Sequence, residues 1–133
     1  MQSDAPTAST SKGKLWAGRV MGGLPALLLL FGGVMDLIKP PYVVEGTLKM
    51  GYPESVISGL GIVVILCTIL YLIPPTAVLG AILLTGYFGG AVATHVRMSD
   101  FVSVPVPVLV AVLIWGGLYL RDSRLRALIP FRS

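Results

Sequence analysis

The residue types best suited to chemistry gather in one apolar stretch, GYFGGAVATHVR, which covers residues 86–97. His95 is the only histidine of the chain, and a histidine can give or take a proton near neutral pH. Tyr87 and Thr94 add hydroxyl groups, and Arg97 adds a cation at the end of the stretch. These four side chains predict a binding site for a lipophilic ring compound, in which His95 handles a proton and Arg97 or Tyr87 holds a polar group.

Two acidic residues are candidate partners for this histidine. Asp36 and Glu54 could each form an acid/base pair with His95, as in an isomerase or cyclase that acts on a lipid-soluble substrate. His95, Asp36 and Glu54 are therefore the candidate catalytic residues. Asp36 is also expected to pair with Lys39, His95 or Arg97. The alternative interpretation is that these charges lie at helix ends and only anchor them at the membrane surface.

Other kinds of site are disfavoured by the composition. One histidine cannot supply both axial ligands of a haem, and no cluster of histidine, cysteine and carboxylate residues has metal-ligand spacing. Cys67, the only cysteine, lies within an apolar stretch and has no disulfide partner in the chain. Neither a nucleophile elbow nor a phosphate-binding glycine-rich loop is indicated. The sequence therefore predicts no metal site and no intrinsic cofactor.

The elements that must position these side chains are predicted to be membrane-spanning helices. Of the 133 residues, 55% are hydrophobic and only 12% are charged, and the mean hydropathy is +0.87, whereas a soluble domain carries about twice that charge. Four apolar stretches are long enough to cross a bilayer as helices: residues 15–38, 56–73, 76–96 and 102–120. The predicted fold class is all-α, a polytopic membrane protein built as a four-helix transmembrane bundle over residues 15–121.

The segments outside these spans have a different composition. Residues 1–14 are rich in Ser, Thr, Ala and Pro and are predicted to form a disordered cytoplasmic leader, while residues 122–133 form a basic tail. The segment KPPYVVEGTLKMGYPES, between the first two spans, is long enough for a short helix along the membrane surface.

The basic residues predict how the bundle is oriented. Seven of the ten lysines and arginines fall on the side of the two termini, and three fall on the other side. By the positive-inside rule, both termini are cytoplasmic. The basic tail is then expected to contact anionic lipid head groups of the bilayer, and no nucleic-acid partner is predicted.

Small residues predict how two of the helices pack. Gly86, Gly90 and Ala93 recur at helical spacing and lead to Arg97 along one face. The first span has a comparable stripe, made of Gly18, Gly22, Pro25, Leu29, Gly32 and Asp36. We expect these two stripes to pack against each other and to bring Asp36 close to Arg97. His95 is expected to lie on a different face of its helix.

Three segments of the chain carry a resemblance to a known family: GYPESV before the second span, CTILYLIPPTAVLGAILLTGYFGGAVATHVR through the second and third, and WGGLYLRDSRLRALIP at the end. They resemble the DoxX-like family of small bacterial membrane proteins. The most specific part of the likeness falls on Gly86, Tyr87, Gly89, Gly90, Ala93, Thr94, His95 and Arg97, and no established catalytic role comes with these positions. The resemblance implies a four-helix bundle in the bacterial inner membrane. The wider DoxX group is associated with thiosulfate:quinone oxidoreduction, which implies contact with the quinone pool.

Three functions are compatible with these observations. The first is an accessory subunit of a membrane complex that associates with a quinone, and its partner would carry the redox centre that the chain lacks. The second is a structural or assembly subunit whose glycine stripes dock another membrane protein or a second copy of the chain. The third is the acid/base enzyme described above. A transporter or channel is disfavoured because no charge lies at the middle of a span.

Overall fold

The computed structural model describes residues 12–128, whose regular secondary structure is entirely helical. The helices are α1 (Lys12–Ile38), α2 (Pro41–Lys49), α3 (Ile57–Leu72), α4 (Ala77–Arg97), α5 (Pro105–Arg121) and α6 (Ser123–Leu128). Two 3₁₀ turns, Glu54–Val56 and Pro74–Thr76, lead into α3 and α4. Prolines stand at the first positions of α2 and α5, where the missing backbone donor costs least.

The distribution of side chains fits a bundle surrounded by lipid. Three helical segments are long and apolar enough to cross a membrane, Lys12–Ile38, Glu54–Leu72 and Pro74–Arg97, and α5 is apolar but shorter. Large apolar side chains such as Leu24 and Phe31 are about 60% exposed, whereas the small side chains of Ala26 and Ala81 are buried. Small residues inside and large ones outside are expected where the surroundings are as apolar as the core. The predicted all-α, polytopic membrane bundle is confirmed.

The four long helices form a ring in which α1 packs along α3 and α5, and α4 packs along the same two helices. Helices α1 and α4 therefore lie on a diagonal. The contact between α1 and α5 is a meeting of backbones, because a methyl group placed at Gly117 would lie 2.6 Å from the nitrogen of Gly22 and 2.8 Å from the carbonyl oxygen of Gly18. Glycine is required at this crossing because any larger residue would separate the two helices.

Tyr71 joins three of the helices. Tyr71 belongs to α3, and its side chain is almost completely buried. Its hydroxyl donates a 2.6 Å hydrogen bond to the carbonyl oxygen of Ile114 in α5. The same hydroxyl lies against Gly22 of α1, and the guanidinium of Arg121 lies 5.3 Å from the centre of the tyrosine ring. A polar side chain in an apolar core thus has its partner, and helices α1, α3 and α5 meet at this point.

The two ends of the bundle differ. We call the end that carries α2, the end of α4 and the start of α5 the α2 end, and the end that carries Lys12 and Leu128 the terminal end. The short helix predicted between the first two spans is present as α2. Helix α1 begins at Lys12, within the predicted leader, and α6 lies in the predicted tail. The rest of the leader and tail falls outside the described residues.

The predicted packing of the two small-residue stripes is wrong. Helices α1 and α4 are diagonal partners, and the first part of the α1 stripe packs on α5 instead. A methyl group placed at Gly86, Gly90 or Gly32 would meet no atom within 4 Å, and Ala93 is exposed. None of these four residues therefore forms the predicted helix contact within the part of the chain that the structure describes.

Candidate ligand-binding cavity

A cavity of about 380 Å³ lies at the α2 end, between α1, α3 and α4, and is covered by α2 and the turn that follows it. This volume is within the usual range of small-molecule sites. We call it the α2-end cavity. Its lining consists of Asp36, Thr47, Met50, Tyr52, Leu60, Gly86, Tyr87, Gly90, Ala91, Thr94 and His95.

The glycines of α4 provide the space for this cavity. Gly86 and Gly90 are one helical turn apart on the face of α4 that lines it, and the region where their side chains would stand is open. Because α1 lies diagonally across the bundle, none of the described helices fills this space. The glycine-rich sequence, which costs roughly 1 kcal/mol per residue in helix propensity, therefore leaves an open space on this face of α4 and not a contact with one of those helices.

Asp36 reaches the cavity from the last turn of α1. Its Cβ packs closely against α3, since a methyl group placed at Gly61 would lie 2.8 Å from it. Within residues 12–128, its carboxylate has neither a hydrogen bond nor an ion pair, so the predicted pairing with Lys39, His95 or Arg97 is not formed. A half-buried carboxylate without a partner is available to a ligand.

Tyr52 and Thr94 join the roof of the cavity to its wall. Tyr52 follows α2, and its hydroxyl oxygen lies 2.6 Å from Oγ1 of Thr94 in α4. Thr94 in turn donates a 2.8 Å hydrogen bond to the carbonyl oxygen of Gly90. Thr94 was predictable from the sequence as a site residue, whereas Tyr52 was not, because its position depends on the path of the chain through α2. The only sequence signal was its place in the GYPESV segment.

Tyr87 provides the central polar group of the wall. Its ring is partly buried and meets the ring of Phe88 edge to face, with the centroids 6.0 Å apart. Its hydroxyl has no hydrogen-bond partner among the described residues, and both Asp36 and Tyr52 are close enough to act on it electrostatically. The hydroxyl can therefore bond to a molecule in the cavity.

His95 lines the cavity, and one of its ring nitrogens lies beside an acidic residue. Its Nδ1 lies 3.6 Å from Oδ2 of Asp100, and that oxygen also accepts a 2.7 Å hydrogen bond from the hydroxyl of Ser103. The histidine is expected to lie on a different face of α4 from the glycines, and helical spacing puts it about 180° around the helix from Gly86 and about 140° from Gly90. All three residues nevertheless line the same cavity.

Two of the predicted site residues lie outside the cavity. Glu54 is exposed at the start of a 3₁₀ turn. Arg97 is also exposed, and its guanidinium donates to the carbonyl oxygen of Met50, beside Gly51, whose φ of +93° favours glycine. Arg97 therefore fastens the end of α2 to α4. The residues that the structure does bring together are Asp36, Tyr87, Thr94 and His95.

Comparison with known families and proteins gives one match. The sequence model of the DoxX-like family matches residues 20–117. The matched range extends from α1 to the last turns of α5 and includes every residue that lines the α2-end cavity. A comparison with curated proteins finds no match, and neither does a comparison with solved structures.

Proposed function

Because the chain belongs to the DoxX-like family of integral membrane proteins, we propose that it is an accessory subunit of a membrane complex and holds the head group of a quinone-type compound in the α2-end cavity. The chain supplies the binding site, and a partner subunit supplies the redox centre. The association of the wider family with quinone oxidoreduction supports the choice of ligand class.

One observation carries this proposal. The carboxylate of Asp36 and the hydroxyl of Tyr87 belong to the lining of the cavity and have neither a hydrogen bond nor an ion pair among the described residues. Buried polar groups in proteins are nearly always paired. A ring compound with oxygen substituents would pair with these groups, while its ring and tail would contact apolar residues such as Leu60 and Ala91.

The proposed location is the bacterial inner membrane, with the α2 end on the extracytoplasmic side. Among the described residues, the basic side chains of the terminal end are Lys12, Lys14, Arg19, Arg121, Arg124 and Arg126, and those of the α2 end are Lys39, Lys49 and Arg97. This excess of basic residues at the terminal end supports a cytoplasmic position for that end by the positive-inside rule. The cavity then lies at the level where the head group of a membrane quinone meets the membrane surface.

The proposal is tested by ligand binding to the purified protein in phospholipid nanodiscs. A short-tailed quinone and its reduced form are titrated, and quenching of intrinsic fluorescence is measured. We expect saturable binding that is lost in Gly90→Leu and retained in Gly89→Leu, since only the first glycine lines the cavity. Absence of saturable binding, or equal binding by both variants, would contradict the proposal.

A second candidate function is an assembly subunit that docks another membrane protein or a second copy of the chain. The observation that favours it is that Gly32 in α1 and Gly89 in α4 are exposed, with no atom near the position of an added methyl group. Exposed glycines on transmembrane helices permit close approach of a further helix. In that case, Gly32→Leu would prevent complex formation in mild detergent and leave quinone binding unchanged.

A further inference from the structure

The hydrogen-bonding side chains of the α2-end cavity can be assigned as donors or acceptors from the partner that each hydroxyl proton already has. The single hydroxyl proton of Thr94 is used in its bond to the carbonyl oxygen of Gly90. Tyr52 must therefore be the donor in its 2.6 Å bond with Thr94. The phenolic oxygen of Tyr52 keeps only its accepting capacity.

Asp36 is a further acceptor in the lining. Asp36, when ionised, has oxygens that can only accept hydrogen bonds, and no described residue donates to them. The carboxylate of Asp100 lies beside Nδ1 of His95 and favours a proton on that nitrogen. Nδ1 of the histidine therefore faces Asp100. Tyr87 has a hydroxyl proton that is free for a ligand, since it has no hydrogen-bond partner among the described residues.

We infer that the ligand of the α2-end cavity brings hydroxyl protons of its own, so that the cavity selects the reduced, dihydroxy form of a quinone-type ring over the oxidised dione. This inference rests on the proposed function and adds the redox form of the ligand to it. A dione has only acceptor oxygens, and these would face the acceptors Asp36 and Tyr52 and leave both without a donor. Sites built to bond a hydroxyl group discriminate strongly against analogues that lack it, because their own buried groups are left unpaired.

The test compares three forms of one ring in nanodiscs under anaerobic conditions. The ligands are a decyl-substituted quinol, the corresponding quinone, and the dimethyl ether of the quinol, which has the same ring but no donor. We expect the quinol to have a Kd about tenfold lower than that of either other form. Dodecylamine is included because an ammonium group also supplies donors.

A substitution at Asp36 then tests the assignment of the acceptor. Asp36→Asn keeps the shape of the side chain but presents an amide donor to the ligand, so the tenfold preference should fall to less than about threefold. Asp122→Asn, at the terminal end, is the matched control and should keep the preference. Thermal unfolding of each variant confirms that the bundle is intact.

The possible outcomes separate the inference from the proposed function. Equal affinity for the three ring forms, an unchanged preference in Asp36→Asn, or tighter binding of dodecylamine than of the quinol would overturn the inference. Saturable but unselective binding of the ring compounds would leave the proposed function in place. If neither the quinol nor the quinone bound, the proposed function itself would fail.

Discussion

The hydroxyl of Tyr52 lies 2.6 Å from the hydroxyl of Thr94, a contact between residues 42 positions apart in the chain. It joins the turn after α2 to the last turns of α4 and keeps the roof of the α2-end cavity in place. Arg97 makes a second connection between the same two parts of the chain through the carbonyl oxygen of Met50. Two polar contacts therefore connect the roof of the cavity to α4.

Removing the Tyr52 hydroxyl should loosen this roof. In Tyr52→Phe, one hydrogen bond worth about 0.5–1.5 kcal/mol is lost, and we expect faster hydrogen exchange in residues 41–53 without global unfolding. Tyr42→Phe is the control, because Tyr42 is exposed and its hydroxyl donates to the sulfur of Met35, at 3.4 Å, its one hydrogen bond among residues 12–128. Unchanged exchange in Tyr52→Phe would show that the roof is held by other contacts.

Filling the cavity should separate binding from stability. Gly90→Leu places a side chain in open space and replaces a poor helix former, so we expect the free energy of unfolding to stay equal or rise by about 0.5–1 kcal/mol. Ligand affinity should fall by about tenfold or more, because the space of the ligand is occupied. Both quantities are measured in the same nanodisc preparation. Gly89→Leu should show the gain in stability without the loss of binding.

The crossing of α1 and α5 should not tolerate a side chain. A methyl group in Gly117→Ala would meet backbone atoms of Gly18 and Gly22 at 2.6–2.8 Å, and we expect a loss of about 1–3 kcal/mol in unfolding free energy. Unfolding in a denaturing detergent measures this loss. The neighbouring Gly116→Ala is the control, since its methyl group would meet only the flexible end of Met21. Equal stability of the two variants would contradict the close crossing.

Labelling of introduced cysteines should reveal the orientation of the bundle. Ser55→Cys, exposed at the α2 end, should react with a membrane-impermeant maleimide in intact cells. Gly13→Cys, exposed at the terminal end, should react only after lysis. The native Cys67 is 8% exposed and provides a low background in both variants. The opposite pattern would place the cavity on the cytoplasmic side.

The helices were predictable from the sequence, but their order around the ring was not. Long apolar stretches and their prolines indicate spans because the bilayer sets the required length. A stripe of small residues indicates that another group can approach the helix closely, but it does not identify that group. Gly18 and Gly22 contact Gly117 of α5, whereas Gly86 and Gly90 line a cavity. Spacing along one helix contains no information on which neighbour faces it.

The polar side chains of the cavity were more predictable from the sequence than the complete set of residues that line it. The sequence predicts Tyr87, Thr94 and His95 as site residues because polar side chains in an apolar helix indicate a specific role. All three line the cavity together with Asp36. The sequence also predicts Arg97 as a residue of the site, but its long side chain donates to the carbonyl oxygen of Met50 instead. Tyr52 could not be foreseen, since its contact with Thr94 depends on how α2 returns the chain to the bundle.

The crossing of α1 and α5 also determines when the bundle can close during synthesis. The first long helix leaves the ribosome with a glycine face whose partner, Gly117, is made in the last span, 95 residues after Gly22 by their positions in the chain. Until then, Gly18 and Gly22 lack the backbone of α5, and Tyr71 lacks the acceptor at Ile114. Insertion of the final span is therefore the step that closes the ring, and a chain interrupted before α5 would keep the packing of α1 on α3 but lack the α1–α5 crossing and the hydrogen bond of Tyr71.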